Sequence, residues 1–165
     1  MAGNTKAMGV AYRDQLIAGT TTNDNALAGD VGEYIVSTVA SGSAVSITTG
    51  TPTNITSIAL TPGDWDLDAV IDFLPAASTS ITNYQAAYSL TSATLSTQPG
   101  GSGLGPDPLL VVNQAAMVPA AVFGCAPATV RLTISANTTV YLVAQSTFSV
   151  STLTGYGTLR ARRAR

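Results

Sequence analysis

Between residues 55 and 73 the chain reads ITSIALTPGDWDLDAVIDF, and the second half of that stretch fits only one kind of element. Trp65, Leu67, Ala69, Ile71 and Phe73 alternate with Asp64, Asp66, Asp68 and Asp72, and Val70 is the one apolar residue on the acidic side. A repeat of two sorts these sets onto opposite faces of a strand, whereas a helix would mix them. The segment reads as a half-buried strand that sends the chain's only tryptophan to a core and its carboxylates to water or to a basic partner. Pro62-Gly63 stands just before it. Proline presets φ to about −65° and glycine accepts a positive φ, so the pair predicts a type II turn at which the chain reverses.

The flanking segments carry the same texture. β-branched runs from Tyr34 to Val39, Val45 to Thr48 and Ile55 to Leu60 are separated by Ser41-Gly42-Ser43 and by GTPTN at 50–54. Further strands are expected from Ser80 to Leu90, Leu109 to Val118, Thr129 to Ser135, Thr139 to Gln145 and Phe148 to Arg160, with Asn137-Thr138 as a hairpin turn. Short strands punctuated by turn residues roughly every ten positions predict an all-β fold, an antiparallel β-sandwich or jelly roll. From Ser96 to Pro108, three prolines and four glycines exclude a helix or a central strand. A long connection at mid-chain suits a path that crosses between sheets. Residues 1–30 show no sustained period and few bulky side chains, so an irregular N-terminal arm is expected ahead of a β domain at 31–165. Met8, Val10, Tyr12, Leu16 and Ile17 supply the arm's adhesive patches and are the candidates for attachment to a partner.

The balance of charge removes several classes of function. Only 10% of residues are charged, against about 25% in an average soluble domain. A surface covered instead by hydroxyls and small side chains suits burial against copies of itself, so a homo-oligomer is expected. The net charge of −2 gives no general reason to bind nucleic acid or a membrane surface, and no run approaches the roughly 18 apolar residues of a membrane span. The beginning, MAGNTKAMGVAYRDQ, lacks the apolar core of a signal peptide, so the protein is expected to stay in the cytosol where it is made until it meets its partners. Cys125 is the single cysteine and reads as a small buried apolar residue. The absence of histidine removes the common nucleophile–base triads, and the clustered acids share one strand face instead of straddling a cleft as a glycosidase requires. The glycines at 100–105 lack the Lys-Ser/Thr ending of a phosphate-binding loop. Asp64, Asp66 and Asp68 have the spacing of calcium-loop ligands, but Ala69 and Pro75 stand where such a loop needs glycine and glutamate. No catalytic residue, metal site or cofactor is expected.

Charge is also unevenly placed. Arg160, Arg162, Arg163 and Arg165 are four of the seven basic residues and lie in the last six positions, while Asp64, Asp66, Asp68 and Asp72 are four of the nine acids. With Arg131, the two clusters are candidates to pair with each other. The RARRAR ending is open to three readings: a protein contact, a solvated tail or a nucleic-acid contact. Just before it, Gly155 and Gly157 flank Tyr156 in a strand-like run that reaches Leu159. Glycines there permit close backbone approach, at a symmetry axis or a bulge, so Gly155, Tyr156, Gly157 and Leu159 are the expected oligomer contacts.

Three segments in this order, GEYIVSTVASGSAV at 32–45, TNITSIALTPGDWDLDAVIDF at 53–73 and TTVYLVAQSTFSVSTLTGYGTLRARRAR at 138–165, resemble a family of small structural proteins of tailed bacteriophages. TPGDWD and GYGTLRARR are its most specific pieces. The resemblance implies a virion component made in the host bacterial cytoplasm: a capsid decoration or head-fibre protein, or one associated with the tail, whose partners are itself and a capsid or other virion protein. The strand pattern also resembles the jelly roll of trimeric tumour-necrosis-factor-like domains, which implies a homotrimer with its C-terminal strand near the axis. The alternative reading is a receptor- or glycan-binding module of a tail fibre, with Tyr84, Tyr88 and the loop from Ser96 to Pro108 as its contact surface.

Overall fold

A computed structural model describes residues 24–95, 110–117 and 122–165, the middle group by its backbone alone. Ten strands follow in order: β1 (Tyr34–Val39), β2 (Val45–Ile47), β3 (Thr53–Leu60), β4 (Gly63–Pro75), β5 (Ser80–Ser89), β6 (Leu110–Met117), β7 (Phe123–Cys125), β8 (Val130–Ile134), β9 (Thr138–Ser149) and β10 (Leu153–Arg163). They form two antiparallel sheets. The six-stranded sheet runs β1-β10-β4-β7, with β2 continuing the place of β1 beside β10 and β8 continuing that of β7 beside β4; the four-stranded sheet runs β3-β9-β5-β6.

The pairings are those of one long hairpin wound on itself. β1 and β2 pair with β10, β3 with β9, β4 with β8 and β7, and β5 with β6, so the first strands meet the last and each later strand meets the next one in from the end. Counting β1/β2 and β7/β8 as two interrupted strands leaves eight, wound as two Greek keys into a jelly-roll β-sandwich. The core lies between the sheets. Trp65, Leu67, Ala69, Ile71 and Phe73 of β4 are fully buried, and Ile55, Ile58 and Leu60 of β3, Ala86 and Tyr88 of β5, and Val140 and Leu142 of β9 close over them from the other sheet. Each large side chain so buried contributes about 1.5–3 kcal/mol over its exposed state.

Several expectations about connections give way. Pro62-Gly63 does not reverse the chain into a hairpin, because β3 and β4 belong to different sheets and the pair carries the chain across the sandwich. Gly63 already belongs to β4, with φ +150, against about +80° in a type II turn. Asn137-Thr138 likewise links strands of opposite sheets, β8 and β9, and is no hairpin turn. The expected strand from Phe148 to Arg160 is two elements: Phe148 and Ser149 end β9, the chain turns at Val150, and β10 runs on to Arg163. The three-residue β7 was not foreseen. The mid-chain break from Ser96 to Pro108 lies outside the described residues, but β5 and β6 on either side of it pair within one sheet, so it joins neighbours instead of crossing between layers.

Residues 24–33 are tied to the β domain. The Asn25 side chain accepts from the Tyr34 N–H and donates to the Tyr34 carbonyl, occupying the open edge of β1 as a strand would. Gly32 N–H donates to the Arg163 carbonyl and Arg163 N–H to the Glu33 carbonyl, which continues the β1–β10 ladder past the end of β1.

Candidate functional site

The outward face of the six-stranded sheet carries most of the charged side chains of the described residues, arranged by strand register. Arg162 of β10 lies between Tyr34 of β1 and Asp66 of β4, and Arg131 of β8 follows Asp66 in the same row. In the next row Val36, Arg160 and Asp68 stand side by side. Arg160 bridges to Asp68 at 2.6 Å. Directly opposed opposite charges stabilise a strand pair modestly, by about 0.2–1 kcal/mol each.

Asp64 is the most heavily bonded acid. Arg131 grips it with two parallel bonds, Nε to Oδ1 at 2.9 Å and Nη2 to Oδ2 at 2.6 Å, while Thr133 donates to Oδ1 and Arg165 to Oδ2. The Arg131 fork foremost, against the opposing cost of burial, and then Thr133 and Arg165 hold its carboxyl well below the usual carboxylate range. Asp64 thus ties the end of β10 to β8 across β4.

A second cluster lies at the same end of the sandwich, on the inner face. Arg163 and Glu33 are both buried and pair at 2.9 Å. The guanidinium also donates to the Pro62 carbonyl and to Thr61 Oγ1, and its carbon lies 4.2 Å from the centroid of the Trp65 ring. Trp65 Nε1 donates to the Thr61 carbonyl at 3.0 Å. The Gly29 N–H first, against the cost of burial, and then Arg163 lower the Glu33 pKa. A Cβ at Gly63 would overlap the Arg163 guanidinium, so glycine is required there for space as well as for its positive φ. The TPGDWD segment is therefore the socket into which Arg163, the last arginine of RARR, inserts.

An open cavity of about 220 Å³ lies on the charged face, lined by Tyr34, Asp66, Asp68, Thr129, Arg160, Ala161 and Arg162. Among the described residues Asp66 and Arg162 enter no ion pair, and the Nε of Arg160 is buried without an acceptor.

The expected site residues divide accordingly. The structure joins Asp64, Asp68, Arg131, Arg160 and Arg165 in ion pairs and sets Asp66 opposite Arg162, whereas Asp72 faces Tyr156 and Gly124. RARRAR is no free tail: its first four residues belong to β10 or are bonded to it, and Arg163 is turned inward. The oligomer contacts need correction. Leu159 is fully buried in its own chain, a Cβ at Gly155 would press on Ile47 and Ile55, and one at Gly157 would strike the Val70 carbonyl. The close approach these glycines permit is made within the chain, and Tyr156 alone of the four faces outward. Tyr88 is fully buried and Tyr84 packs against Phe73 and Phe123 at ring-centroid distances of 5.6 and 4.9 Å, so neither offers the exposed contact surface expected. Met8, Val10, Tyr12, Leu16 and Ile17 lie outside the described residues. Glu33, Thr61, Tyr34 and Thr129 were not foreseen as site residues; the one available signal was that Glu33 is the chain's sole glutamate.

The Asp64 carboxyl is held ionised by Arg131 above all and that of Glu33 by the Gly29 N–H and then Arg163, while burial, with the charge of Asp72 adding to it, pushes the Cys125 thiol up to about 12, far from a reactive thiolate. Among the described residues no three acidic, cysteine or histidine side chains gather as a metal site would require. Comparison with models of known protein families and with curated protein sequences returns no match.

Proposed function

We propose that the chain is a non-enzymatic structural protein of a bacteriophage virion, a capsid decoration or head-fibre protein that assembles as a homotrimer and attaches through its N-terminal segment. The observation that carries this reading is the apolar flank where that segment enters the sandwich. Leu27, Val31, Tyr34 and Val36 are four of the eight large hydrophobic side chains exposed among the described residues, and all lie within ten positions of one another beside the edge strand β1. Exposed apolar side chains gathered beside an edge strand mark a protein contact. The phage-like motifs support the same reading, since TPGDWD and the arginine ending form one socket and so have a structural reason to occur together.

The trimer contact is assigned to the outer face of the four-stranded sheet, where Ser57, Ala59, Thr139, Tyr141, Gln85 and Gln145 can be covered without desolvating an ion. Electron microscopy of particles made with and without the protein tests the location: density lost from the head supports the reading, and particles unchanged on head and tail refute it. Co-sedimentation of a chain beginning at residue 24 with particles lacking the protein tests the attachment. That truncation keeps the Asn25 and Gly29 contacts to the domain, and its undiminished incorporation would move attachment to the apolar flank itself.

A further inference from the structure

We propose that the cavity bounded by Tyr34, Asp66, Asp68, Thr129, Arg160 and Arg162 is a binding site for a neutral saccharide ring. Two arginines of β10 and two aspartates of β4 stand at its corners, at positions that alternate along each strand and face each other across the pair. Their charges cancel. An anion seated at Arg162 would meet Asp66 beside it, and a cation seated at Asp66 would meet Arg162, so neither charge gains a net attraction from the site. Hydrogen-bonding capacity does not cancel in the same way. Carboxylates only accept and guanidinia only donate, so a ligand matched to this rim must present donors and acceptors alternately at short spacing. Adjacent hydroxyls of a sugar ring do so, each donating to an aspartate while accepting from an arginine, in charge-assisted bonds.

Three further observations fit such a ring. Asp66 and Arg162 have no ion pair among the described residues to be broken on binding. Tyr34, 42% exposed, offers an apolar ring face and a hydroxyl at one wall, and Thr129 offers a hydroxyl at the other. The volume of about 220 Å³ is below the roughly 300–1,000 Å³ of sites for drug-sized ligands, so one ring is held and the remainder of a glycan extends into solvent. A place in a particle and a sugar site are separately observable: the first is read on virions, the second on the purified chain.

The test is saturation-transfer NMR on the full chain with a panel of free hexoses and N-acetylhexosamines at tens of millimolar, with sodium acetate and methylguanidinium chloride as charged probes. Ring-proton transfer is expected for at least one sugar and for neither ion. Asp66→Asn and Arg162→Gln, both at exposed positions, should each weaken the sugar about tenfold, the loss for one charge-assisted bond, with thermal melts unchanged. Tyr34→Ala should weaken it too, and Gln145→Ala on the opposite sheet should have no effect. No sugar signal, a signal indifferent to Asp66→Asn and Arg162→Gln, or preferential binding of either ion would each overturn the proposal, the last by showing that the cavity takes a charged side chain of a partner.

Discussion

The two sheets of the sandwich share a core but are held at their outer surfaces by different means. The six-stranded sheet and its immediate flanks hold Glu33, Asp64, Asp66, Asp68, Asp72, Arg131, Arg160, Arg162, Arg163 and Arg165; the strands of the four-stranded sheet contain no acidic or basic residue. On the uncharged side the work is done by small side chains: Leu95 folds back over Ala87 and Val143, and Asn54 ties the returning loop through Ser92 and the Ala93 N–H. A chain with few charges has gathered them where strand ends must be tied, and left the other face able to be covered at little cost.

The contrast fails if a shared-core substitution and an ionic one act alike on both sheets. Trp65→Ala removes the largest buried side chain and should cost about 3–5 kcal/mol in denaturant unfolding, whereas Asp66→Asn next to it should stay within about 0.5 kcal/mol. Arg163→Ala should be almost as damaging, about 3–5 kcal/mol, because it leaves the Glu33 carboxylate buried without its cation. Hydrogen exchange separates the two. The tryptophan variant should lose protection in both sheets, and the arginine variant first in β1, β4 and β10; equal loss everywhere would remove the distinction.

Acid should act on the charged side as well. The pKa values of Glu33 and Asp64 are depressed in the fold from ordinary values of 4.5 and 3.8, so the stability they contribute is fully present above about pH 4.5 and is lost as pH falls through the lower folded values. A melting temperature followed downward from neutral pH should begin to drop there, and Arg131→Ala should make the Asp64 part of that drop smaller. Below both effects lies backbone strain. Val150, at the turn between β9 and β10, has φ 81 and is 80% exposed, and Val150→Gly should stabilise by about 1 kcal/mol. The smallest effect on stability is expected from Ser57→Lys, on the uncharged face: a monomer fold within about 0.5 kcal/mol of the parent, but an oligomer lost in native mass spectrometry. A parent chain that is monomeric at micromolar concentration would refute the assembly, and an oligomer indifferent to Ser57→Lys would place it on another face.

The face of β4 was legible because five apolar residues and four acids alternate without ambiguity, and the two layers followed from repeating that texture. The meeting of Asp64 and Asp68 with arginines was legible for a different reason: with so few charges, two clusters of opposite sign have few other partners. Connections were not legible. Pro62-Gly63 and Asn137-Thr138 have the same local chemistry whether the next strand lies alongside or across the core, and only the winding of the whole chain decides. Gly155 and Gly157 declare a close approach but not its partner, which proved to be Ile47, Ile55 and Val70 of the same chain. Glu33 gave no pattern at all, since a buried pair formed by residues far apart in sequence has no local period.

The winding has a consequence for synthesis. Tyr34 finds its partner in Arg162, and β10 fills the gap between β1 and β4, so an inner strand of one sheet is the last of the ten to be synthesised. Until it emerges, the core side of β4 has no complete layer around it, and the long loop closure that joins first strand to last must be completed before its contacts stabilise anything. A product that stopped before β10 would lack that strand and the arginine that locks the socket. Synthesis of β10 and closure of the six-stranded sheet are the same event, so copies that stop short of that strand are excluded from any assembly that recognises the finished surface.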